Sequence, residues 1–157
     1  NSKVWFNDGL GIFTPDTQTF DTFDVREVAA GDLNGDGHVD LVLARNGVGA
    51  VPWSNVVLLG DGTGSFTPHQ ELPNDDLSVG LALGDIDADG DLDLVVSNVG
   101  VSYIYRNDGS GTFGNETTFG GAGVQSYAVR LGDWDRDGDL DLLDARRGSA
   151  SRVLDNE

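Results

Sequence analysis

Asp32-Leu33-Asn34-Gly35-Asp36-Gly37-His38-Val39-Asp40 returns 53 residues later as Asp85-Ile86-Asp87-Ala88-Asp89-Gly90-Asp91-Leu92-Asp93. It returns 48 residues after that as Asp133-Trp134-Asp135-Arg136-Asp137-Gly138-Asp139-Leu140-Asp141. Each stretch puts oxygen-bearing side chains at positions 1, 3, 5 and 9 and glycine at position 6. A hard divalent cation needs that pattern, because Ca²⁺ takes about 6–8 oxygens and glycine lets the chain turn sharply around it. Four carboxylates in so short a loop repel one another when no cation is present. The loops therefore read as three calcium sites, and their spacing as an internal repeat.

The EF-hand shares the opening of this pattern but closes with a glutamate at position 12, between two helices. Position 12 here is Leu43, Val96 and Asp144. The segments after the loops, Leu41-Val42-Leu43-Ala44, Leu94-Val95-Val96-Ser97 and Leu142-Leu143-Asp144-Ala145, are short, apolar and partly β-branched, which favours strands. The sites are thus expected in β-hairpins.

A second motif keeps phase with the first: Asp8-Gly9-Leu10-Gly11-Ile12-Phe13, Asp61-Gly62-Thr63-Gly64-Ser65-Phe66 and Asp108-Gly109-Ser110-Gly111-Thr112-Phe113. An Asp-Gly turn before an aromatic strand is a strong hairpin signal. One repeat then reads as four short strands. A first strand ends in Gly-Asp (25–31, 79–84, 127–132), and the acidic loop and its apolar strand follow. A third strand leads into the Asp-Gly turn (3–7, 56–60, 103–107), and a fourth begins at Phe13, Phe66 or Phe113. Four antiparallel strands per 40–50 residues, with no helical periodicity, predict an all-β chain built of β-propeller blades. The repeats fall near 2–53, 54–101 and 102–150, within a single module spanning 1–157, with 151–157 starting or completing a blade.

Ser151-Arg152-Val153-Leu154-Asp155-Asn156-Glu157 aligns with Ser2-Lys3-Val4-Trp5-Phe6-Asn7-Asp8, so the chain carries three units permuted within the blade. Propellers close with about 4–8 blades, and repeat units do not bury their faces alone. Either the sequence is part of a longer propeller, or two chains combine as a homodimer of six blades, the commonest oligomeric arrangement being a twofold dimer.

Composition narrows the functional classes. The 157 residues hold 27 acids against 9 Lys+Arg, for a formal net charge of −18. The loops contain 13 of those acids, and three Ca²⁺ would bring the charge to about −12. Nucleic acid and anionic membrane surfaces are poor partners for such a chain, since both are bound through Lys and Arg. No apolar run approaches the roughly 20 residues of a membrane span, so no membrane insertion is expected. With no cysteine, the fold must be held by its core, by metal, or by both. Extracellular calcium modules bind at roughly 10⁻⁴–10⁻³ M, so a mature secreted or cell-surface segment is expected.

With both motifs in place, the chain resembles the FG-GAP/VCBS repeat family, which includes the propeller of integrin α-subunits. The turn appears as Trp5-Phe6-Asn7-Asp8-Gly9-Leu10-Gly11-Ile12-Phe13 and the loop at 31–40, 84–93 and 132–141. Leu58 and Tyr105 stand where the first unit has Trp5, and Asn34 replaces one loop aspartate. The resemblance implies a propeller with calcium on the hairpins of one face. It does not imply one activity, because relatives include adhesion receptors, fungal lectins and accessory domains of secreted enzymes.

Asp32, Asn34, Asp36 and Asp40 are expected to form site one, Asp85, Asp87, Asp89 and Asp93 site two, and Asp133, Asp135, Asp137 and Asp141 site three. His38, Asp91 and Asp139 at position 7 contribute a backbone oxygen. Site one carries one charge fewer and is expected to be the weakest. Leu33, Ile86 and Trp134 are expected as apolar anchors beneath the loops, and Phe13, Phe66, Phe113 and Trp5 as core. A carbohydrate or protein ligand is sought on the opposite face, at Arg45, Trp53, Asn98, Arg146 and Arg147, where an exposed tryptophan beside arginine can stack on a sugar or anchor a protein. Catalysis is not expected: His38 and His69 are the only histidines, neither has the neighbours of a triad, and calcium already accounts for the clustered acids. The competing reading is a structural, non-catalytic domain of a larger secreted protein or enzyme.

Overall fold

The computed structural model describes residues 2–20, 24–46, 54–73 and 77–156. Eleven strands carry the fold: β1 Ser2–Asn7, β2 Phe13–Phe20, β3 Asp24–Gly31, β4 Asp40–Asn46, β5 Val56–Gly60, β6 Phe66–Glu71, β7 Ser78–Gly84, β8 Asp93–Asn107, β9 Phe113–Gly132, β10 Asp141–Arg147 and β11 Arg152–Leu154. No helix occurs among the described residues, and so none is long and apolar enough to cross a membrane.

All pairings are antiparallel. β1 pairs β2, β3–β4–β5–β6 form a four-stranded sheet, and β7 to β11 form a five-stranded one in chain order. Two strands of the larger sheet run together what the sequence reads as separate strands. A straight fifteen-residue strand would span roughly 50 Å. The ends of β8 instead touch, because the Asn107 N–H donates to Asp93 Oδ1 at 2.9 Å. The chain doubles back at 98–102, where the Asn98 N–H donates to Ser102 Oγ (3.1 Å) and Asn98 Nδ2 to the Val101 carbonyl (2.7 Å). Residues 93–98 of β8 pair with β7, and 101–107 pair with the first part of β9. β9 turns near Gly120 and Gly123, whose φ of 84° and 85° suits glycine, and its second part pairs with β10. In strand sequence β7, the two halves of β8 and the first part of β9 therefore match β3–β4–β5–β6, so the first, second and third repeats of the fold run 24–71, 78–119 and 123–154, offset from the bounds of 2–53, 54–101 and 102–150 expected from sequence.

The three Asp-Gly turns share one closure: the Asp8, Asp61 and Asp108 N–H groups donate to the carbonyls of Ile12, Ser65 and Thr112, each at 3.1 Å. Successive units are also clasped. Gln18 donates from Nε2 to the Phe66 carbonyl (2.7 Å) and accepts the Phe66 N–H (3.0 Å), and Gln70 does the same to Phe113 at 2.8 Å in both directions.

The core consists of layers between units. Leu33, Val42, Val57 and Leu72 of the first repeat pack on Leu81, Leu94, Val96, Tyr105 and Phe113 of the second. Ile86, Val95 and Phe119 pack on Val129 and Leu142 of the third. Phe20 of β2 packs on Leu43, Val56 and Leu58. Each fully buried side chain of this size contributes about 1.5–3 kcal/mol, and only a neighbouring unit provides that burial.

Three core assignments from sequence need correction. Trp5 (56 % exposed) and Phe13 (58 %) are on the surface, although their counterparts Tyr105 and Phe113 are buried and Phe66 is half-buried. Trp134 is 48 % exposed, whereas Leu33 and Ile86 in the same loop position are buried. In each case the flanking unit lacks the neighbour that covers its counterpart.

Candidate metal centres

The acidic loops join β3 to β4, β7 to β8 and β9 to β10, so all three lie at the same end of their strands. Backbone amides shape each loop around its own carboxylates. Asp32 Oδ2 accepts the Gly37 N–H at 2.8 Å, and Asp85 Oδ2 accepts that of Gly90 at 3.1 Å. Asn34 Oδ1 takes the Asp36 N–H (3.0 Å) and Asp135 Oδ1 the Asp137 N–H (3.1 Å). Asp36, Asp89 and Asp137 take the amide two residues on, from His38 (2.8 Å), Asp91 (3.0 Å) and Asp139 (3.0 Å). Such Asx turns fix the loop backbone around its own side chains. Position 4 is left-handed in all three loops: Gly35 has φ 71°, Ala88 60° and Arg136 71°.

The ninth-position aspartates are buried staples, a role the spacing did not reveal. Asp40 accepts the Leu33 N–H (2.9 Å) on Oδ2 and the Gly60 N–H (2.7 Å) on Oδ1. Asp93 binds the amides of Ile86 (3.1 Å) and Asn107 (2.9 Å), and Asp141 those of Trp134 (3.1 Å) and Asn156 (3.1 Å). Each ties the start of its loop to the third strand of its repeat. Two asparagines carry that tie into the preceding unit, Asn107 Nδ2 donating to the Leu33 carbonyl (2.8 Å) and Asn156 Nδ2 to that of Ile86 (2.9 Å). The first repeat has Gly60 in this place, since a Cβ there would sit 2.2 Å from the Val39 carbonyl oxygen.

The donor set fits a hard cation. Carboxylate oxygens of Asp85, Asp87 and Asp89 lie within 4.8 Å of one another, as do those of Asp133, Asp135 and Asp141. In the first loop, Asp32 Oδ1 is buried without a hydrogen-bond partner, an expensive state for a carboxylate oxygen with no ion on it. The residues that would hold an ion are Asp32, Asn34 and Asp36; Asp85, Asp87 and Asp89; and Asp133, Asp135 and Asp141, with Asp137 in the same third loop and the buried Asp40 and Asp93 closing the first two. Asp91 and Asp139 share the loops, and the half-exposed His38 ring lies 3.4 Å from Asp36.

Local charge differs between the loops. The His38 amide, more than any other group, holds the Asp36 carboxyl below its ordinary value. The Asp137 amide also favours ionised Asp135, yet burial and the nearby charges of Asp137 and Asp141 leave its pKa raised, so repulsion inside the third loop is not cancelled. The amides of Asn156 and Trp134 lower Asp141. Burial raises Asp93 against the pull of the Asn107 and Ile86 amides and of Arg106. Arg106, which the sequence did not single out, reaches Asp93 at 3.0 Å and Asp87 at 3.2 Å and supplies internal positive charge to the second loop.

The ligand candidates do not gather into one exposed group. Asn98 is buried and spends its amide on the β8 turn. Arg45 reaches the Ser54 carbonyl and Glu71, and Arg146 is held by Asp144 at 2.6 Å. Trp53 lies outside the described residues. Arg147 is exposed, its guanidinium 5.9 Å from the Tyr127 ring centroid, and with Gln125 and Ser149 it lines an open cavity of about 530 Å³.

The chain belongs to the FG-GAP-like repeat family, whose pattern it matches over residues 32–96 and 85–143. No curated protein sequence matches it at a significant level.

Proposed function

We propose that the chain is a calcium-stabilised β-propeller module of three blades that recognises a carbohydrate or a protein partner at a secreted or cell-surface location and performs no chemistry itself. The observation that carries the calcium reading is the inward gathering of carboxylates in loops already shaped by their own amides, with Asp32 Oδ1 buried and unpartnered. Calcium supplies the positive charge that the third loop lacks and that Arg106 provides only in part in the second, and it joins the two strands of a hairpin that would otherwise repel. A role in holding the fold suits the site better than catalysis, because an oxygen cage satisfied by the chain leaves no place for a reacting group. Recognition is assigned to the cavity of Gln125, Arg147 and Ser149, where Arg147, steadied by the ring and hydroxyl of Tyr127, offers a fork for hydroxyl or carboxylate oxygens.

Thermal melting with excess Ca²⁺ and with chelator tests the first part: the melting temperature is expected to fall by many degrees on chelation. Equal melting in both buffers refutes a stabilising ion. Glycan-array binding lost on Arg147→Ala tests the second. A second reading, a structural domain that binds nothing alone, is favoured by the internal engagement of Arg45, Asn98 and Arg146, and silence across the array would select it.

A further inference from the structure

Asp144 occupies a place that the other repeats fill with core residues. It follows the third loop by the same interval at which Leu43 and Val96 follow the first and second, and both of those are buried and apolar. Asp144 is fully buried and pairs across strands with Arg152 of β11, where the first repeat pairs Leu43 with Val56. β11 fills this place poorly. Arg146 Nε of the same strand holds Asp144 Oδ2 at 2.6 Å, whereas the Arg152 Nε stands 3.6 Å away, and both that atom and Asp144 Oδ1 are buried without a hydrogen bond.

The same chain contains a second strand of the same phase. β1 aligns with β11 residue for residue, so Lys3 matches Arg152, Val4 matches Val153 and Trp5 matches Leu154. In the equivalent position the first and second repeats carry Val56 and Tyr103, so only β1 and β11 bring a cation there. Lys3 is exposed, and among the described residues β1 pairs only with β2, which leaves its other edge open there. An open edge is a template for another strand.

The surfaces around these two strands match as well. Gly31 lies against Leu83 and Leu92 of the following repeat, and Gly84 against Leu131 and Leu140. The first-repeat residues in those positions are Ala30 and Val39, and Val39, like nearby Val28, is exposed. The atoms nearest a Cβ at Gly132 belong to the ring of Trp134 in its own loop, and Trp134 and Val153 are both exposed. Among the described residues, no strand lies in front of Val28 and Val39 at one end of the stack, and at the other Trp134 is uncovered and no strand pairs with the outer edge of β11.

We propose that a second copy of this chain joins the two ends by strand exchange: β1 of one copy displaces β11 of the other and pairs with its β10, placing Lys3 beside Asp144. The second part of β9, β10, and the incoming β1 and β2 then form a four-stranded sheet in the order of β3–β4–β5–β6. Made twice, the contact joins two copies of this chain through pairings it already uses, a low-cost route to a dimer. This inference rests on the propeller reading above. The cation at Lys3, which no internal repeat requires, favours a copy of this chain over an unrelated partner.

The test is molar mass by light scattering with calcium present. The wild type is expected near twice 16.6 kDa and Lys3→Glu near 16.6 kDa, with Lys3→Glu keeping a cooperative melt because its own β11 still covers Asp144. The chain has no cysteine, so the double variant Val4→Cys, Leu143→Cys reports pairing directly: β10 holds Leu143 opposite Val153, and β1 would bring Val4 there. A disulfide-linked dimer on a non-reducing gel is expected. A wild-type monomer, or a dimer that Lys3→Glu leaves intact and that forms no cross-link, overturns the exchange. A monomer that still melts with calcium dependence overturns the exchange alone and leaves the propeller reading standing.

Discussion

Tyr105 in the middle repeat and Trp5 at the first turn hold the same place before an Asn-Asp-Gly turn, yet Tyr105 is 1 % exposed and Trp5 56 %. Phe113 and Phe13 differ in the same way. The middle repeat has a unit on each side, and the flanks have one on one side only. Tyr105 packs in one cluster with Leu33, Val57 and Leu72 of the first repeat, whereas none of the described residues covers Trp5 in this way. The motif fixes a side chain's direction, and the neighbouring repeat decides whether that direction leads into core or into water.

The sharpest way to break this comparison is to truncate both members of a pair. Tyr105→Ala removes a large ring from a full layer and is expected to lower stability by about 3–5 kcal/mol. Trp5→Ala in a monomeric background is expected to change it by about 0.5 kcal/mol or less, as exposed substitutions usually do. Urea unfolding monitored by circular dichroism measures both. A Trp5→Ala loss as large as that of Tyr105→Ala would mean that position in the repeat, and not the neighbour, sets the energetics.

A smaller effect sharpens the same point through hydrogen bonding. Asn107 Nδ2 donates to the carbonyls of Leu33 and Leu92, and Asn107 Oδ1 accepts the N–H groups of Gly109 and Gly111. Asn107→Ala leaves buried carbonyls unpaired at a cost of about 1–3 kcal/mol. Asn7 makes the same turn contacts to Gly9 and Gly11 in an exposed setting. Asn7→Ala is therefore expected to lose only the turn, a few tenths of a kcal/mol to about 1 kcal/mol in the same unfolding experiment.

Much of this was legible in the sequence because glycine and aspartate at fixed spacing encode local geometry. The three loops, the three Asp-Gly turns and the all-β class needed only their own residues. What the sequence did not disclose depends on distant partners. Asp40, Asp93 and Asp141 read as loop ligands like the rest, but the partners that make them staples, Gly60, Asn107 and Asn156, lie 14–20 residues on. Arg106 looked like an ordinary strand residue until the fold brought it to Asp87 and Asp93. Asp144 passed as a failed twelfth loop position, although an aspartate among Leu43 and Val96 was a visible break in the apolar pattern and a usable signal.

Position 4 of the loops was also missed, because only the first repeat marks its left-handed φ with glycine. Ala88 and Arg136 hold that conformation with a Cβ, which costs roughly 1–2 kcal/mol relative to the right-handed region. Glycine removes that strain but loses more freedom on folding, roughly 0.5–1 kcal/mol. Ala88→Gly is therefore expected to stabilise by only about 0.5–1 kcal/mol, and Gly35→Ala to destabilise by a similar amount. Both are best measured by denaturant unfolding in chelator, where the ion cannot hold the loop for the backbone. If Ala88→Gly is neutral there while Gly35→Ala is costly, the second loop relaxes its turn through Arg106 and Asp87, and the three loops are equivalent in sequence pattern but not in backbone demand.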